Sequence, residues 1–189
     1  MISPDRRSLL RNAFSRYVEQ LMAQTEERVS PRRHLRPPGA LPELGFLAAC
    51  TRCGECVSVC PVSAIRQLPA DAGLAAGTPF LDVTTQPCIA CPDMPCAKVC
   101  PTDALTVPSN GWEGYRLGAL EFNPQRCVTY QGVTCSVCAE ACPVGEKALV
   151  MDESGHPSLR AEGCTGCGSC VKACITSPSC YTLRSAGGQ

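Results

Sequence analysis

Sixteen of the seventeen cysteines in this chain fall into four tight groups, and their spacing narrows the chemistry they can do. The first group is Cys50, Cys53, Cys56 and Cys60, in CTRCGECVSVCP. The second is Cys88, Cys91, Cys96 and Cys100, in CIACPDMPCAKVCP. The third is Cys127, Cys135, Cys138 and Cys142, in CVTYQGVTCSVCAEACP, and the fourth is Cys164, Cys167, Cys170 and Cys174, in CTGCGSCVKACI. Every group ends in C-x3-C, and in three of them a proline follows: Pro61, Pro101 and Pro143. Disulfides, structural zinc and iron–sulfur clusters all consume cysteine at this density. Disulfide scaffolds belong to secreted chains, no apolar signal-peptide core is visible, and an odd number of thiols leaves one over. Structural zinc sites show two C-x2–4-C pairs separated by a longer spacer, whereas here the last three cysteines of each group run together. Four [4Fe–4S] clusters are the expectation.

The spacing has a physical reason. In C-x2-C-x2-C three thiolates lie on a looping backbone that can wrap one face of a cubane cluster. The x3 step carries the chain into a short helical turn and aims the fourth thiol elsewhere; in two-cluster ferredoxins it ligates the other cluster. A proline after it ends the turn where no N–H is needed. Gly54 and Gly168, each just after a second cysteine, supply the positive φ that a backbone hugging a cluster requires. The longer gaps, x4 after Cys91 and x7 after Cys127, lengthen a loop without removing a ligand.

The elements that must position these thiols are short. PFLDV (79–83), RLGALEF (116–122) and PSLRA (157–161) lead into groups two, three and four. SAIRQL (63–68), DALTV (103–107), KALVM (147–151) and CYTLR (180–184) trail the four groups. All are too short for ordinary helices and predict strands, so the repeat is strand, cysteine loop, helical turn, strand, at intervals of about 38 residues. The fold class is therefore α+β, with two bacterial-ferredoxin-like modules. At 189 residues with only 5% aromatics, cysteine chemistry substitutes for part of an ordinary core. A net charge of zero gives no support for nucleic-acid binding. No apolar run approaches the roughly 20 residues of a membrane span.

A cluster with four cysteine ligands has no open iron and exchanges electrons rather than binding substrate. The radical-type C-x3-C-x2-C is missing, because Ser63, Asp103, Gly145 and Ser177 stand where its third cysteine would be. His34 and His156 read as solvated loop histidines, and Asp93 and Glu140 as locally bonded or solvent-exposed. Trp112 and Tyr115 read as covers over the inner cluster pair, and Cys180 as a buried structural thiol. No catalytic residue is expected. In oxidised form each cluster carries about −2, so the loaded chain would be roughly −8, which suits docking onto basic patches of partners.

LRPPGAL (35–41), CTRCGECVSVCP, AAGTPF (75–80), PCIACPDMPCAKVCP, CVTYQGVTCSVCAEACP and CTGCGSC follow one another in order. Together they resemble the MauM/NapG group of ferredoxin-type proteins over roughly residues 35 to 184. The resemblance implies a four-cluster electron-transfer protein serving a larger redox system, and it carries all sixteen grouped cysteines over as ligands. Members of that group begin with a twin-arginine export signal. Here Asp5-Arg6-Arg7-Ser8-Leu9-Leu10-Arg11 is similar to the twin-arginine box, but no apolar stretch follows it. Leu10, Phe14, Tyr17 and Leu21 fall at helical spacing instead, behind Ser3 as N-cap and Pro4 as first helical residue, so residues 4–28 predict an amphipathic helix. The expected domains are that helix (1–30), a Pro/Arg-rich solvated linker (31–44) with Arg28, Arg32, Arg33 and Arg36 nearby, and the four-cluster domain (45–184). A cytoplasmic location is the expectation; export through a degenerate twin-arginine signal is the alternative.

Two pairings of the groups are open. The uninterrupted motifs are the outer ones and those with insertions the inner ones, and group two resembles the four-cluster subunits of molybdoenzymes. Both points favour nesting, with segment 45–70 paired to 157–184 and 80–108 to 116–152. The ligand sets would then be Cys50, Cys53, Cys56 with Cys174; Cys164, Cys167, Cys170 with Cys60; Cys88, Cys91, Cys96 with Cys142; and Cys127, Cys135, Cys138 with Cys100. The expected function is the relay of single electrons between redox partners, for which a membrane quinol-oxidising subunit or a molybdoenzyme would qualify. An accessory role in maturing another redox enzyme is the alternative. The oligomeric state is not legible.

Overall fold

The computed structural model describes residues 34–185. The expected N-terminal helix, the twin-arginine-like box and Arg28, Arg32 and Arg33 lie outside the described residues. Each cysteine loop feeds one short helix that carries its group's third cysteine. These are α2 (Glu55–Ser58), α3 (Pro95–Lys98), α4 (Val137–Glu140) and α5 (Ser169–Ala173), preceded by α1 (Glu43–Ala49). Gly54 and Gly168 stand at the N-caps of α2 and α5 with φ of 82° and 84°, the left-handed values expected of them. At α3 a non-glycine, Met94, does the same at 44°, and Pro95 supplies the first helical residue.

Six of the seven expected strand runs form strands: β1 (Ile65–Gln67), β2 (Pro79–Leu81), β3 (Gly118–Phe122), β4 (Leu149–Met151), β5 (Pro157–Leu159) and β6 (Tyr181–Ser185). DALTV yields only a single bridge, Leu105 to Ala40. β1 pairs antiparallel with β2, β4 with β5, and β3 with β6 in the register Gly118–Ser185 to Phe122–Tyr181. These pairs overturn the nested arrangement. The strand after group one pairs with the strand before group two, and the same holds for groups three and four. The outer strands close each module, through the Ala40–Leu105 bridge in the first and β3–β6 in the second. The physical reason is loop closure. β4 and β5 are joined by a five-residue turn in which Asp152 Oδ1 accepts from the N–H groups of Ser154 and His156, both at 2.9 Å. Pairing neighbours in sequence costs less closure entropy than pairing the two ends of the chain. The match in motif form between outer and inner groups carries no information about strand partners.

Two apolar cores follow this division. Phe46, Ile65, Leu81, Met94 and Leu105 fill the first module, and Leu149, Tyr181 and Cys180 the second. The modules join where the Cys88 N–H donates to Cys167 O (3.3 Å) and Ser169 Oγ donates to Cys88 O (3.3 Å). Gly168 belongs to this seam, since a Cβ there would stand 2.5 Å from Val83 Cβ, whereas one at Gly54 would meet only Gln67 Nε2 at 3.7 Å. Gly168→Ala is expected to cost about 2 kcal/mol or more, and Gly54→Ala only about 1, because both strain the backbone but only the first also overpacks the seam. Urea unfolding midpoints followed by circular dichroism check the difference.

The presumed linker is not a linker from residue 34 onward. Arg36 is buried (1% exposed) and holds Glu43 through two guanidinium bonds, Nε–Oε2 at 3.1 Å and Nη2–Oε1 at 2.5 Å. It also donates to Thr78 Oγ1 and Pro79 O, both at 2.8 Å, and lies over the Phe46 ring, 4.6 Å from its centroid. The Leu81 N–H donates to Leu35 O (2.7 Å), which fixes the same stretch to β2. Buried guanidinium is tolerated here because four of its five N–H donors find fixed acceptors and its face meets an aromatic ring.

Candidate iron–sulfur centres

Four cavities are lined by four grouped thiols each. The first holds Cys50, Cys53, Cys56 and Cys100; the second Cys60, Cys88, Cys91 and Cys96. The third holds Cys142, Cys164, Cys167 and Cys170, and the fourth Cys127, Cys135, Cys138 and Cys174. The fourth thiol of each group therefore leaves its own three and joins those of the neighbouring motif. Cys60 and Cys100 cross over within the first module and Cys142 and Cys174 within the second. The nested sets expected above, such as Cys174 with Cys50 or Cys60 with Cys164, are not assembled. The cause is the packing of α2 on α3 and of α4 on α5, which turns each x3 step toward its sequence neighbour.

The cavities measure about 380, 360, 330 and 320 Å3, open mouths included, and their other walls are mostly apolar. Among the described residues no three His, Cys, Asp or Glu side chains converge closely enough for a single metal ion, so the thiols stand around a space rather than a point. Burial, with added repulsion from Cys50, Cys53 and Cys100, pushes the Cys56 thiol up to about 11. Burial likewise pushes Cys88 and Cys96 to about 12. Four thiols gathered around one cavity, some of them held neutral by burial, can all ionise only around a guest that brings positive charge. Backbone N–H groups point at the sulfurs from Ala64 to Cys60 (3.2 Å), Ala90 to Cys88 (3.4 Å) and Gly166 to Cys164 (3.4 Å). On the wall of the third cavity Thr165 Oγ1 is buried without a hydrogen-bond partner, as a donor to a guest's sulfide would be. The donor set fits a [4Fe–4S] cluster.

Comparison with known proteins agrees. A 4Fe-4S dicluster domain matches residues 49–104, the span of groups one and two, and a 4Fe-4S binding domain matches residues 161–176. The methylamine utilization ferredoxin-type protein MauM of Methylorubrum extorquens is 38% identical over 194 residues, covering 92% of this chain and 86% of that protein. The MauM of Methylophilus methylotrophus is 40% identical over 157 residues, 79% of this chain and 70% of its own. This chain belongs to the MauM/NapG family of ferredoxin-type proteins. The ferredoxin-type protein NapG of Escherichia coli is 38% identical over 152 residues, 75% of this chain and 66% of its own length.

Within this family member several residues near the thiols escaped the sequence reading. Cys180, expected as a structural thiol, is buried but stands at the fourth cavity with its Sγ 3.3 Å from Cys174 Sγ. The Tyr181 hydroxyl donates to Cys138 Sγ at 3.3 Å. Burial, then that bond, drives the tyrosine far above its usual range, so it stays protonated. Although burial acts to raise it, hydrogen bonds from Thr176, the Cys180 N–H and Ser179 hold Cys174 down at about 7. His156, expected in solvent, stacks on Tyr130 (4.0 Å, 12°) with Nδ1 3.2 Å from Thr129 Oγ1. His34 packs edge-on against Phe80. Trp112 does cover a cavity, the second one, and its Nε1 donates to Cys91 O (2.8 Å), while Tyr115 accepts the Gly39 N–H (2.8 Å). The available signal was C-x-T after Cys127 and Cys174, a hydroxyl two residues from a thiol, but Cys100-Pro101-Thr102 carries it too.

Proposed function

We propose that this chain relays single electrons between protein partners through four [4Fe–4S] clusters, one in each thiol-lined cavity. The ligand sets are Cys50, Cys53, Cys56 and Cys100; Cys60, Cys88, Cys91 and Cys96; Cys142, Cys164, Cys167 and Cys170; and Cys127, Cys135, Cys138 and Cys174. When bound, such a cluster supplies reversible one-electron chemistry with every iron coordinated. The observation that carries the reading is that the cavities form one row. Cys56 of the first lies close enough to Cys96 of the second to repel it when both are ionised, and so does Cys138 of the fourth to Cys170 of the third. The second and third meet at the module seam, where Cys88 and Cys167 share a backbone hydrogen bond and Ser169 Oγ donates to Cys88 O (3.3 Å).

The protein's work is to hold the thiols, exclude water and join one cavity to the next. Cys53, at the outer edge of the first cavity, is exposed. The fourth cavity is fringed by exposed Val137 and Ile175. Both ends of the row thus reach the surface, which a relay between two partners needs and which favours it over the maturation role.

Iron, sulfide and zinc per chain on anaerobically purified protein test the reading. About 16 iron and 16 sulfide, with four one-electron waves on reductive titration, are expected. About 4 zinc without sulfide would overturn it.

A further inference from the structure

The four cavities treat their sulfurs unequally. At the fourth, side-chain donors reach three of the four ligands. Tyr181 Oη donates to Cys138 (3.3 Å). Thr129 Oγ1 lies 3.2 Å from Cys127 Sγ, and Thr176 Oγ1 and Cys180 Sγ lie 3.1 Å and 3.3 Å from Cys174 Sγ. Once the ligand sulfurs are metal-bound thiolates they can only accept, so the hydroxyls and the Cys180 S–H must donate. The Thr129 hydroxyl then has its acceptor side free for His156 Nδ1, 3.2 Å away.

The other cavities have fewer side-chain donors on their ligand sulfurs. At the first, the Thr102 hydroxyl alone approaches, at a longer 3.8 Å from Cys100 Sγ, and the remaining donors to that sulfur are the backbone N–H groups of Thr102, Ala104 and Leu105. At the second, the sulfur donors are the backbone N–H groups of Ala64 and Ala90. At the third, Ser169 Oγ is 3.5 Å from Cys167 Sγ but spends its proton on Cys88 O, which leaves Thr165 as the one free hydroxyl.

Hydrogen bonds to ligand sulfurs draw off negative charge and make the added electron cheaper to hold, which raises the reduction potential. Resting on the four-cluster reading above, we infer that the fourth cavity holds the cluster of highest potential, and that Tyr181, Thr129, Thr176 and Cys180 set it as positioning residues around Cys138, Cys127 and Cys174. The relay then has a direction. The first electron to enter comes to rest at the Cys127–Cys174 end, and the partner that receives it docks there.

Redox titration followed by EPR, on protein whose iron and sulfide are measured first, tests this. Tyr181→Phe is expected to lower the reduced-to-oxidised ratio of the highest-potential wave about tenfold at the wild-type midpoint, about 59 mV for one electron, and to leave the lower waves in place. Thr176→Val should move the same wave in the same direction. Cys180→Ala should lower it as well, and Cys180→Ser, which keeps a donor, should restore it. Thr102→Val should leave that wave unmoved. With iron intact, the inference is overturned if Tyr181→Phe and Thr176→Val leave the highest wave in place, if they move a lower one, or if that wave follows Thr102→Val. A shortfall of iron and sulfide in the unsubstituted protein would instead sink the four-cluster reading itself.

Discussion

Cys60→Ala is expected to strip the cluster site of Cys88, Cys91 and Cys96, not the site of the three cysteines beside it in sequence. Pairs of substitutions make this visible in iron content. Residues that share a site are not additive, because a cluster already lost cannot be lost again. Cys60→Ala, Cys96→Ala and the double variant should each lose about 4 iron of about 16, whereas Cys60→Ala with Cys170→Ala should lose about 8. Nested ligand sets would reverse the two doubles, with Cys60 and Cys170 sharing one loss. The first outcome also cuts the row of cavities next to the module seam. A Cys60→Ala protein that still loads its other sites should therefore pass electrons within the second module and not between the two ends.

Substituting Arg36 should damage the fold more than any surface change. Its guanidinium is enclosed by Glu43, Thr78, Pro79 O and the Phe46 ring, with side-chain exposures of 0% for Arg36 and 7% for Glu43. Removing one partner of a buried pair leaves the other charge desolvated and alone, so Arg36→Met should cost about 3–5 kcal/mol. The double variant Arg36→Met with Glu43→Leu should recover most of that loss, since an apolar replacement of the whole pair carries no orphaned charge. The readout is the guanidinium concentration at which the visible absorbance of the loaded protein bleaches. A single variant as stable as the unsubstituted chain would show the pair to be dispensable.

Several features were legible because they follow from local physics. The cysteine spacings marked the sixteen thiols that line the cavities and the departure of each fourth thiol from its own three, Gly54 and Gly168 declared left-handed caps, and six strand runs declared themselves by composition. The family resemblance, carried by the ordered motifs, stands as well. What sequence reasoning misjudged depends on neighbours distant in the chain. Arg36 reads as one of several arginines among prolines, and only Thr78 and Glu43 brought around it make it a buried clamp. His156 reads as a loop residue until β4 and β5 turn it onto Tyr130.

The sequence by itself determined which thiols gather at the cavities, because intervals of two and three residues along one backbone bring them together locally. Only the tertiary structure decided which motif exchanges its fourth thiol with which. That choice follows from strand pairing and loop closure, to which four near-identical motifs are blind. The same holds for Tyr181, whose closeness to Cys138 arises when β6 folds back along β3 beside α5, a meeting that no spacing within a single motif encodes.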